Sequence, residues 1–315
     1  MSKPERDVHQ PVLVDEVVEA LEPLGGGLLL DLTLGAGGHA RALLERSSPD
    51  GILFGLDQDP HVLAFAGKKL EEFGDRVTIR QGNFAEADTI FADVAGQIDG
   101  ILLDLGVSSL QLDDPGRGFS FRNDGPLDMR MDPGRAATAE RFLNEGLRDE
   151  LLHAVGVLGE EPRAKAIVRA ILEERKIRPL YHTTDLRELV EQVYKRRGGR
   201  IHPATRTFQG IRMVVNAELE SLERGLAAAF GLLKEGGRMA VIAFHSGEDR
   251  IVKEFLKSRQ AEGAVAPGPL KVVKPSAAEV RRNRRSRSAR LRISRRVRPG
   301  ADNRQPPGHD VETVL

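Results

Sequence analysis

A glycine-rich segment with nearby acids is the part of this sequence best suited to hold a cofactor. The segment DLTLGAGGHA, residues 31–40, follows an apolar run and precedes a helical pattern. Glycines there let the backbone approach a ligand closely, because they carry no Cβ atom. Gly35, Gly37 and Ala40 fit the pattern G-x-G-x-x-A, and Asp57 lies 20 residues after Gly37, as in dinucleotide-binding folds. The segment by itself leaves both NAD and S-adenosylmethionine (SAM) open.

Asp31 and Asp104 shift this choice towards SAM, whereas Asp57 suits either cofactor. Asp57 ends a predicted strand, where a carboxylate can accept charge-assisted hydrogen bonds from ribose hydroxyls. Asp31 stands four residues before Gly35 and can meet an ammonium group, and Asp104 ends another predicted strand at the same crevice. Two acids in one crevice suit a cationic sulfonium ligand and repel a pyrophosphate. The acids therefore favour SAM without excluding NAD.

Alternating strand and helix patterns must position these residues. Apolar runs separated by helical patterns predict βαβ units and a parallel sheet, with ligands at the carboxyl ends of the strands. A fifth parallel strand is predicted at 239–244. The first four predicted strands lie within 27–34, 52–57, 77–83 and 100–106.

The stretch between the fourth and fifth strands is too long for one crossover. It begins with an irregular segment, 111–135, and a loop of this length is usually functional or disordered. Helical stripes follow, and one further helix is predicted from about 204 to 230. We therefore predict an α/β domain formed by 1–112 and 206–315, with a mostly helical insertion at 113–205.

Charge is distributed unevenly along the chain. The 315 residues contain 47 Lys and Arg against 47 Asp and Glu, so the formal net charge is zero. Residues 271–304 carry 13 basic and two acidic residues, which leaves a net charge of −11 for the remainder. Within SARLRISRR, residues 288–296, apolar residues alternate with arginines, as in a half-buried strand with its arginines on one face. The basic stretch is either a solvated tail or a phosphate-binding surface.

Composition excludes several classes of protein. The sequence has no cysteine, so disulfides, Cys-based zinc sites and thiol catalysis are ruled out, and no metal is expected. No run approaches the ~18 apolar residues of a membrane span, and the first ten residues lack the pattern of a signal peptide. We expect a cytoplasmic protein with no membrane partner.

Eight motifs in a fixed order together resemble the RsmH (MraW) family of bacterial 16S ribosomal RNA methyltransferases. The resemblance covers nearly the whole chain, and its long loop motifs are far more specific than the glycine segment. The motifs are HQPVL (9–13), DLTLGAGGHA (31–40), GLDQDP (55–60), DGILLDLGVSSLQLDDPGRGFSF (99–121), DGPLDMRMDP (124–133), HPATRTFQGIRMVVNAELE (202–220), LKEGGRMAVIAFHSGEDR (233–250) and KPSAAEVRRNRRSRSARLR (274–292).

The resemblance implies a class I SAM-dependent methyltransferase fold, with a Rossmann-like, mostly parallel seven-stranded sheet and an inserted helical domain. It also implies methyl transfer from SAM to the exocyclic N4 of cytosine 1402 of 16S ribosomal RNA, in the decoding region of the small subunit. The oligomeric state is left open, with a homodimer as one option. The residues that match the family's SAM-contact motifs are Gly37, Gly38, His39, Asp57, Phe84, Asp104 and Gln111.

Methyl transfer to N4 needs positioning and an acceptor for a proton. The N4 lone pair of cytosine is delocalised into the ring, so an acceptor for an N4 hydrogen would assist the attack. Asp104 is the first candidate for this acceptor and His245 the second, because both follow strands at the crevice. Arg206 and Arg212 could serve either the RNA or an internal ion pair. The residues predicted to contact RNA phosphates are Arg284, Arg285, Arg287, Arg290 and Arg292.

Two departures from the family pattern and two other functions stay open at this point. Residues 257–269 lack the cysteine that family members often carry there, and Gly247 replaces an apolar residue. An NAD-dependent enzyme acting on a small molecule would have no use for the arginine-rich stretch. A non-catalytic ribosome-assembly factor would bind RNA and keep SAM only as a structural ligand.

Overall fold

A computed structural model describes residues 11–195 and 202–299. His9 and Gln10 of the first motif lie outside the described residues. The strands are β1 (Leu28–Asp31), β2 (Ile52–Asp57), β3 (Val77–Gln81), β4 (Ile98–Asp104), β5 (Leu233–Ala243), β6 (Val272–Val273) and β7 (Arg290–Arg295). The helices are α1 (Val14–Leu21), α2 (Gly38–Arg46), α3 (Pro60–Leu70), α4 (Ala87–Ile90), α5 (Ser109–Asp113), α6 (Ala139–Glu145), α7 (Arg148–Leu152), α8 (Ala164–Glu174), α9 (Thr183–Tyr194), α10 (Ala204–Asn216), α11 (Glu218–Leu232), α12 (Ser246–Ala261) and α13 (Ala277–Arg282).

The strands form one seven-stranded sheet in the order β3-β2-β1-β4-β5-β7-β6. Neighbours from β3 to β5 run parallel, whereas β7 is antiparallel to both β5 and β6. The strand order reverses between β1 and β4, which is where open α/β sheets bind their ligands. The predicted mostly parallel class I methyltransferase fold is confirmed.

Parallel pairing brings the acidic strand ends to one edge of the sheet. Asp31 pairs in register with Gly55 of β2 and Leu102 of β4, so the ends of these three strands are adjacent. Asp57 and Asp104 are the last residues of β2 and β4. Three acids that are far apart in the sequence therefore reach the same crevice.

Apolar cores cover both faces of the sheet. Leu29 and Leu102 pack on one face with α1 and α2, and Leu30 and Leu103 pack on the other face with α11 and α12. Strands that are buried on both faces have continuous apolar runs in their sequences. The positions of these strands could therefore be predicted from the apolar runs. In the described part of the chain, no helix combines the length and the hydropathy that a membrane crossing requires.

A third apolar cluster lies away from the sheet and gathers side chains from the region of the predicted insertion. Its buried members run in sequence from Phe119 to Val215. They include apolar residues of α8 and α9, whose periodic spacing predicted helices there. Helix α10 also contributes Phe208 and Ile211, although these fall beyond the predicted boundary at residue 205. The domain boundaries remain a prediction.

The single helix predicted from 204 to 230 is wrong, because two helices occupy this range. Helix α10 ends at Asn216 and α11 begins at Glu218. Ala217, between them, has a left-handed backbone with φ 49°. The side-chain amide of Asn216 donates to the carbonyl of Met129 in the long irregular segment, so a tertiary contact stands where the chain turns.

Strand β7 forms as predicted, but its arginine face is not free. Arg292 is only 6% exposed, because α12 covers this face of the strand. Its guanidinium is paired with Asp249 of α12, with Nε 2.7 Å from Oδ1, and Arg290 reaches the same carboxylate at 2.9 Å. The alternating pattern therefore marked a strand that is covered on both faces.

Candidate cofactor and substrate site

A cleft opens at the carboxyl ends of β1, β2 and β4. Gly37 does not line this cleft. It precedes α2 with φ 74°, and a Cβ atom at this position would point at Leu70 and Ala66. The predicted SAM contacts that do line the cleft are Gly38, His39, Asp57, Phe84, Asp104 and Gln111.

The glycine segment makes a tight turn before α2. Gly35 has φ 53°, a backbone conformation that side chains disfavour. A Cβ atom on Gly38 would lie 2.7 Å from the Pro11 ring, so this position tolerates only glycine without a shift. The turn is also tied to β2, because the Gly35 N–H donates to Asp57 Oδ2 at 2.9 Å.

Asp57 holds its carboxylate in a fixed orientation at the end of β2. Its Oδ2 accepts from Gly35, and its Oδ1 accepts from the Asp59 N–H at 3.0 Å. Burial raises the pKa of Asp57 to about 6, although both of these hydrogen bonds oppose the increase. Each oxygen keeps a second lone pair, which suits hydroxyl donors from a ligand.

Asp31 does not reach the cleft, contrary to its predicted contact with an ammonium group. The side chain is 1% exposed, and its Oδ1 accepts from the Thr33 N–H at 3.1 Å. Burial raises the pKa of Asp31 to about 7, and the charge of Asp57 contributes. Asp31 therefore lies behind the cleft and acts on it only through its charge.

Asp104 is the acid in the cleft whose bonding is incomplete. Its backbone N–H donates to Thr33 Oγ1 at 2.6 Å, but the buried side-chain atom Oδ1 has no hydrogen-bond partner among the described residues. Burial raises the pKa of Asp104 well above its ordinary value, and the charges of Asp31 and Glu248 add to this. An ionised carboxylate here needs a cation, so the cleft fits a positively charged cofactor.

His245 does not line the cleft. It caps α12, where its Nδ1 accepts from the Glu248 N–H at 3.3 Å and its Nε2 lies 3.1 Å from Glu248 Oε1. A Cβ atom on Gly247 would come within 3.2 Å of the His245 ring, so glycine leaves room for this cap. Glu248 does line the cleft, and sequence reasoning missed it although it stands three residues after a capping position.

Phe84 and Gln111 make different contributions to the cleft. Phe84 is half-buried and packs against Gly225 of α11 while lining the cleft, so one side of its ring is supported. Gln111 is buried and engaged at both ends: Oε1 accepts from the Ser108 N–H at 2.9 Å, and Nε2 donates to Asp59 Oδ2 at 2.8 Å. Gln111 therefore braces its own loop.

Two buried polar residues, whose contacts with other segments the sequence did not predict, anchor the long segment 111–135. Asp59 lies 2.8 Å from a guanidinium nitrogen of Arg117. Asn216 accepts from the Met131 N–H at 2.8 Å and donates to the Met129 carbonyl at the same distance. Both residues belong to motifs quoted above, at 55–60 and 202–220. Their contacts with the segment 111–135 become visible only in the folded chain.

A basic rim, defined here as Arg284, Arg285 and Arg287, borders the cleft. These three side chains are exposed on a short turn, and Arg285 lines the cleft while pairing with Asp113 at 2.8 Å. The other two arginines predicted to contact RNA are held by Asp249, and the burial of Arg292 removes it from that role.

Arg212, for which two roles were open, makes an internal ion pair. Its Nε lies 2.7 Å from Glu218 Oε1, and both side chains are mostly buried. Glu218 also lines the cleft, next to Asn216. Arg212 therefore compensates an acid at the cleft wall.

Comparison with known proteins finds relatives that match nearly the whole chain. Residues 6–297 match the MraW methylase family. The chain is 48% identical over 309 residues to the Ribosomal RNA small subunit methyltransferase H of Syntrophotalea carbinolica, covering 92% of this chain and 98% of that one. It is 45% identical over 312 residues to the protein of the same name from Heliobacterium modesticaldum, covering 92% and 99%. A solved structure of a putative rRNA methylase from Clostridium thermocellum is 14% identical, with a TM-score of 0.45 over 94% of this chain and 100% of its own.

Proposed function

This chain belongs to the MraW methylase family, and from that premise we propose that it methylates the exocyclic N4 of cytosine 1402 in 16S ribosomal RNA, with SAM as methyl donor. Relatives that are 44–48% identical are named as methyltransferases of small-subunit ribosomal RNA. The observation that carries the proposal is Asp104, which lines a cleft bordered by the basic rim and has a buried oxygen without a partner in the described part of the chain. A cationic methyl donor suits the acidic Asp104, and a polyanionic substrate suits the basic rim.

Residues of the cleft divide the work of holding the cofactor. Asp57 presents lone pairs for ribose hydroxyls, and Phe84 offers a supported ring face for an adenine. Gly38 lets the backbone come close, and Asp104 compensates positive charge. SAM supplies a methyl group bound to a positively charged sulfur. Gly37 shapes the turn, and Gln111 braces the loop behind Asp59.

Asp104 is also the better candidate to receive the proton. Of the two groups predicted for this role, Asp104 lines the cleft and His245 does not. The substrate nitrogen forms a new bond to carbon with its lone pair and must then lose a hydrogen. A carboxylate that holds this hydrogen before the attack also orients the lone pair towards the methyl group.

The RNA has to present its cytosine unstacked from neighbouring bases, as in other enzymes that modify a base. The basic rim borders the cleft, so it can hold phosphates on either side of an extruded base. The small ribosomal subunit is the proposed partner.

We expect Asp57→Ala to weaken SAM binding by about 1.5–3 kcal/mol, which is about 10- to 150-fold, because charge-assisted hydrogen bonds to the ribose are lost. Isothermal titration calorimetry measures this change directly. Asp75→Ala, at an exposed position on the sheet's periphery, is the matched control and should bind SAM as the unsubstituted protein does. Equal affinity in the Asp57 variant would refute the ribose role.

Replacing Arg284, Arg285 and Arg287 together with glutamine should weaken RNA binding and flatten its salt dependence. Each lost phosphate contact reduces the slope of log K against log salt by about 0.7–0.9. Fluorescence anisotropy with a fragment of the decoding region between 50 and 300 mM salt measures that slope. Arg46→Gln, Lys68→Gln and Lys257→Gln together, at exposed positions outside the cleft, control for the loss of three charges. An unchanged slope in the rim variant means that the rim does not contact RNA.

One assay tests the function against its two alternatives. The protein is incubated with labelled SAM and small subunits lacking this methyl group, and the label is located by mass spectrometry of the RNA. N4-methylcytosine at position 1402 is the expected product. SAM binding without methylated RNA would favour a non-catalytic assembly factor, and binding of NAD in place of SAM would favour a dehydrogenase.

A further inference from the structure

His39 presents an unprotonated nitrogen to the cleft. Its Nε2 lies 2.8 Å from the carbonyl oxygen of Val12, and a carbonyl can only accept, so Nε2 carries the hydrogen. The ring is 6% exposed, and burial lowers the pKa of His39 to about 4, so it is neutral at pH 7. Its Nδ1 therefore holds a lone pair and no hydrogen.

This lone pair faces Asp104. The distance from His39 Nδ1 to Asp104 Oδ2 is 3.6 Å, and Oδ1 of the same carboxyl group has no hydrogen-bond partner among the described residues. Oδ1 of an ionised Asp104 would have no donor among the described residues, and its Oδ2 would face a second acceptor. A protonated Oδ2 would instead present a donor to Nδ1, and a small approach from 3.6 Å would form the hydrogen bond.

The charged groups around Asp104 favour the protonated form as well. Asp31 of β1 and Glu248 of α12 both act on it with negative charge. Two nearby cations are engaged elsewhere, since Arg212 pairs with Glu218 and Arg285 pairs with Asp113. The other charged groups that line the cleft are Asp57 and Lys69.

We propose that Asp104 is a neutral acid before SAM binds, with its proton directed at Nδ1 of His39, and that it releases this proton when the cationic donor enters the cleft. His39 is then a positioning residue that acts through Asp104. The inference rests on the proposed function only for the identity of the cation; the protonated state itself follows from the contacts of this chain.

The proton balance closes over one catalytic cycle. Asp104 gives one proton to solvent as the donor binds and becomes a carboxylate. During transfer the carbon–sulfur bond breaks with its electron pair left on sulfur, and the substrate nitrogen forms the new bond to carbon with its lone pair. That nitrogen then loses a proton to Asp104, which is neutral again when the products leave. Each turnover releases one proton in total.

The first test needs no SAM, so it reads the inference even if the proposed function fails. Carbon-13 NMR of the aspartate carboxyl groups should show a signal that titrates well above the ordinary range and is absent from Asp104→Asn, in addition to the raised signals of Asp31 and Asp57. Nitrogen-15 shifts of His39 in the same full-length protein should show a neutral ring with hydrogen on Nε2. An ordinary Asp104 titration, or a doubly protonated His39 ring, would overturn the inference.

The second test counts protons on SAM binding. Calorimetry in buffers of different ionisation enthalpy should show release of about one proton per SAM, at a pH below the midpoint found by NMR. Because SAM favours ionised Asp104, its affinity should rise about tenfold per pH unit up to that midpoint and level off above it. Equal proton release from Asp104→Asn and the unsubstituted protein would assign the proton to another group and overturn the proposal.

His39→Phe tests the part played by the ring. Phenylalanine keeps an aromatic ring of similar size but has no acceptor at the position of Nδ1, and it also gives up the donor to the Val12 carbonyl. The Asp104 midpoint should move towards the ordinary aspartate value, and fewer protons should be released at a fixed pH. A midpoint that stays where it is in the unsubstituted protein would exclude a positioning role for His39.

Discussion

Asp104→Asn should lower the turnover of RNA methylation by about 10²–10⁴-fold, the range over which general acid–base groups contribute. Asparagine keeps the shape of the side chain but cannot take a proton or compensate a positive charge. Initial rates with small subunits lacking the methyl group, at saturating RNA and over a range of SAM concentrations, separate the effect on kcat from that on KM. A loss in kcat is expected from the proton acceptor, beyond any loss in SAM affinity.

The control for this prediction is Asp75→Asn, which makes the same chemical change at an exposed position outside the cleft. It should leave both kcat and KM within twofold of the unsubstituted values. If Asp104→Asn retains full kcat once SAM is saturating, Asp104 serves cofactor binding alone and another group accepts the proton. The turnover of a His245→Ala variant would then test the second candidate for the proton acceptor, although His245 does not line the cleft.

Asp249→Ala should destabilise the fold by about 3–5 kcal/mol, because it leaves Arg292 as a buried charge with no compensating acid. Arg292 and Asp249 expose 7% and 11% of their side chains, and their paired atoms are 2.7 Å apart. Arg290 would also lose its partner, 2.9 Å away. Urea denaturation followed by circular dichroism measures the free energy of unfolding.

A control on the same helix separates the buried ion pair from effects on α12 itself. Glu254→Ala removes an exposed acid from α12 and should change the free energy of unfolding by less than about 0.5 kcal/mol. A comparably small change in Asp249→Ala would show that the pair contributes little.

The pH dependence of stability provides a second check on this pair. Burial opposes ionisation of Asp249, but hydrogen bonds from Arg292 and Arg290 outweigh it and lower its pKa. The folded pKa is therefore below the unfolded one. The stabilisation is present above the unfolded pKa and is lost as the pH falls through the folded pKa. Asp249→Ala should lack this component of acid sensitivity.

Strands buried on both faces were the easiest elements to predict. β2 spans Ile52–Asp57, the same residues as its apolar run, and β4 begins two residues before its predicted start. Burial on both faces demands continuous apolar side chains, and this demand is local in sequence. The acids at strand ends followed from the same rule, because the carboxyl ends of parallel strands share an edge.

Contacts between distant segments could not be predicted in the same way. No glycine or proline marks the break between α10 and α11 at Ala217. Asn216, next to it, forms hydrogen bonds with Met129 and Met131, more than 80 residues away in the chain. The alternating pattern predicted that Arg292 is exposed, because no residue close to it in the sequence indicates that α12 covers this face of the strand.

The sheet, the glycine turn, the acidic strand ends and the family can be predicted from the amino-acid sequence, because each of these is encoded in short runs or in ordered motifs. Which polar groups are free to act depends on the folded chain. Asp31 is bonded to Thr33 behind the cleft, Gln111 braces a loop, and Asp104 has one oxygen with no partner among the described residues. Hydrogen bonding and burial depend on partners from other elements, and those partners meet only when the chain has folded.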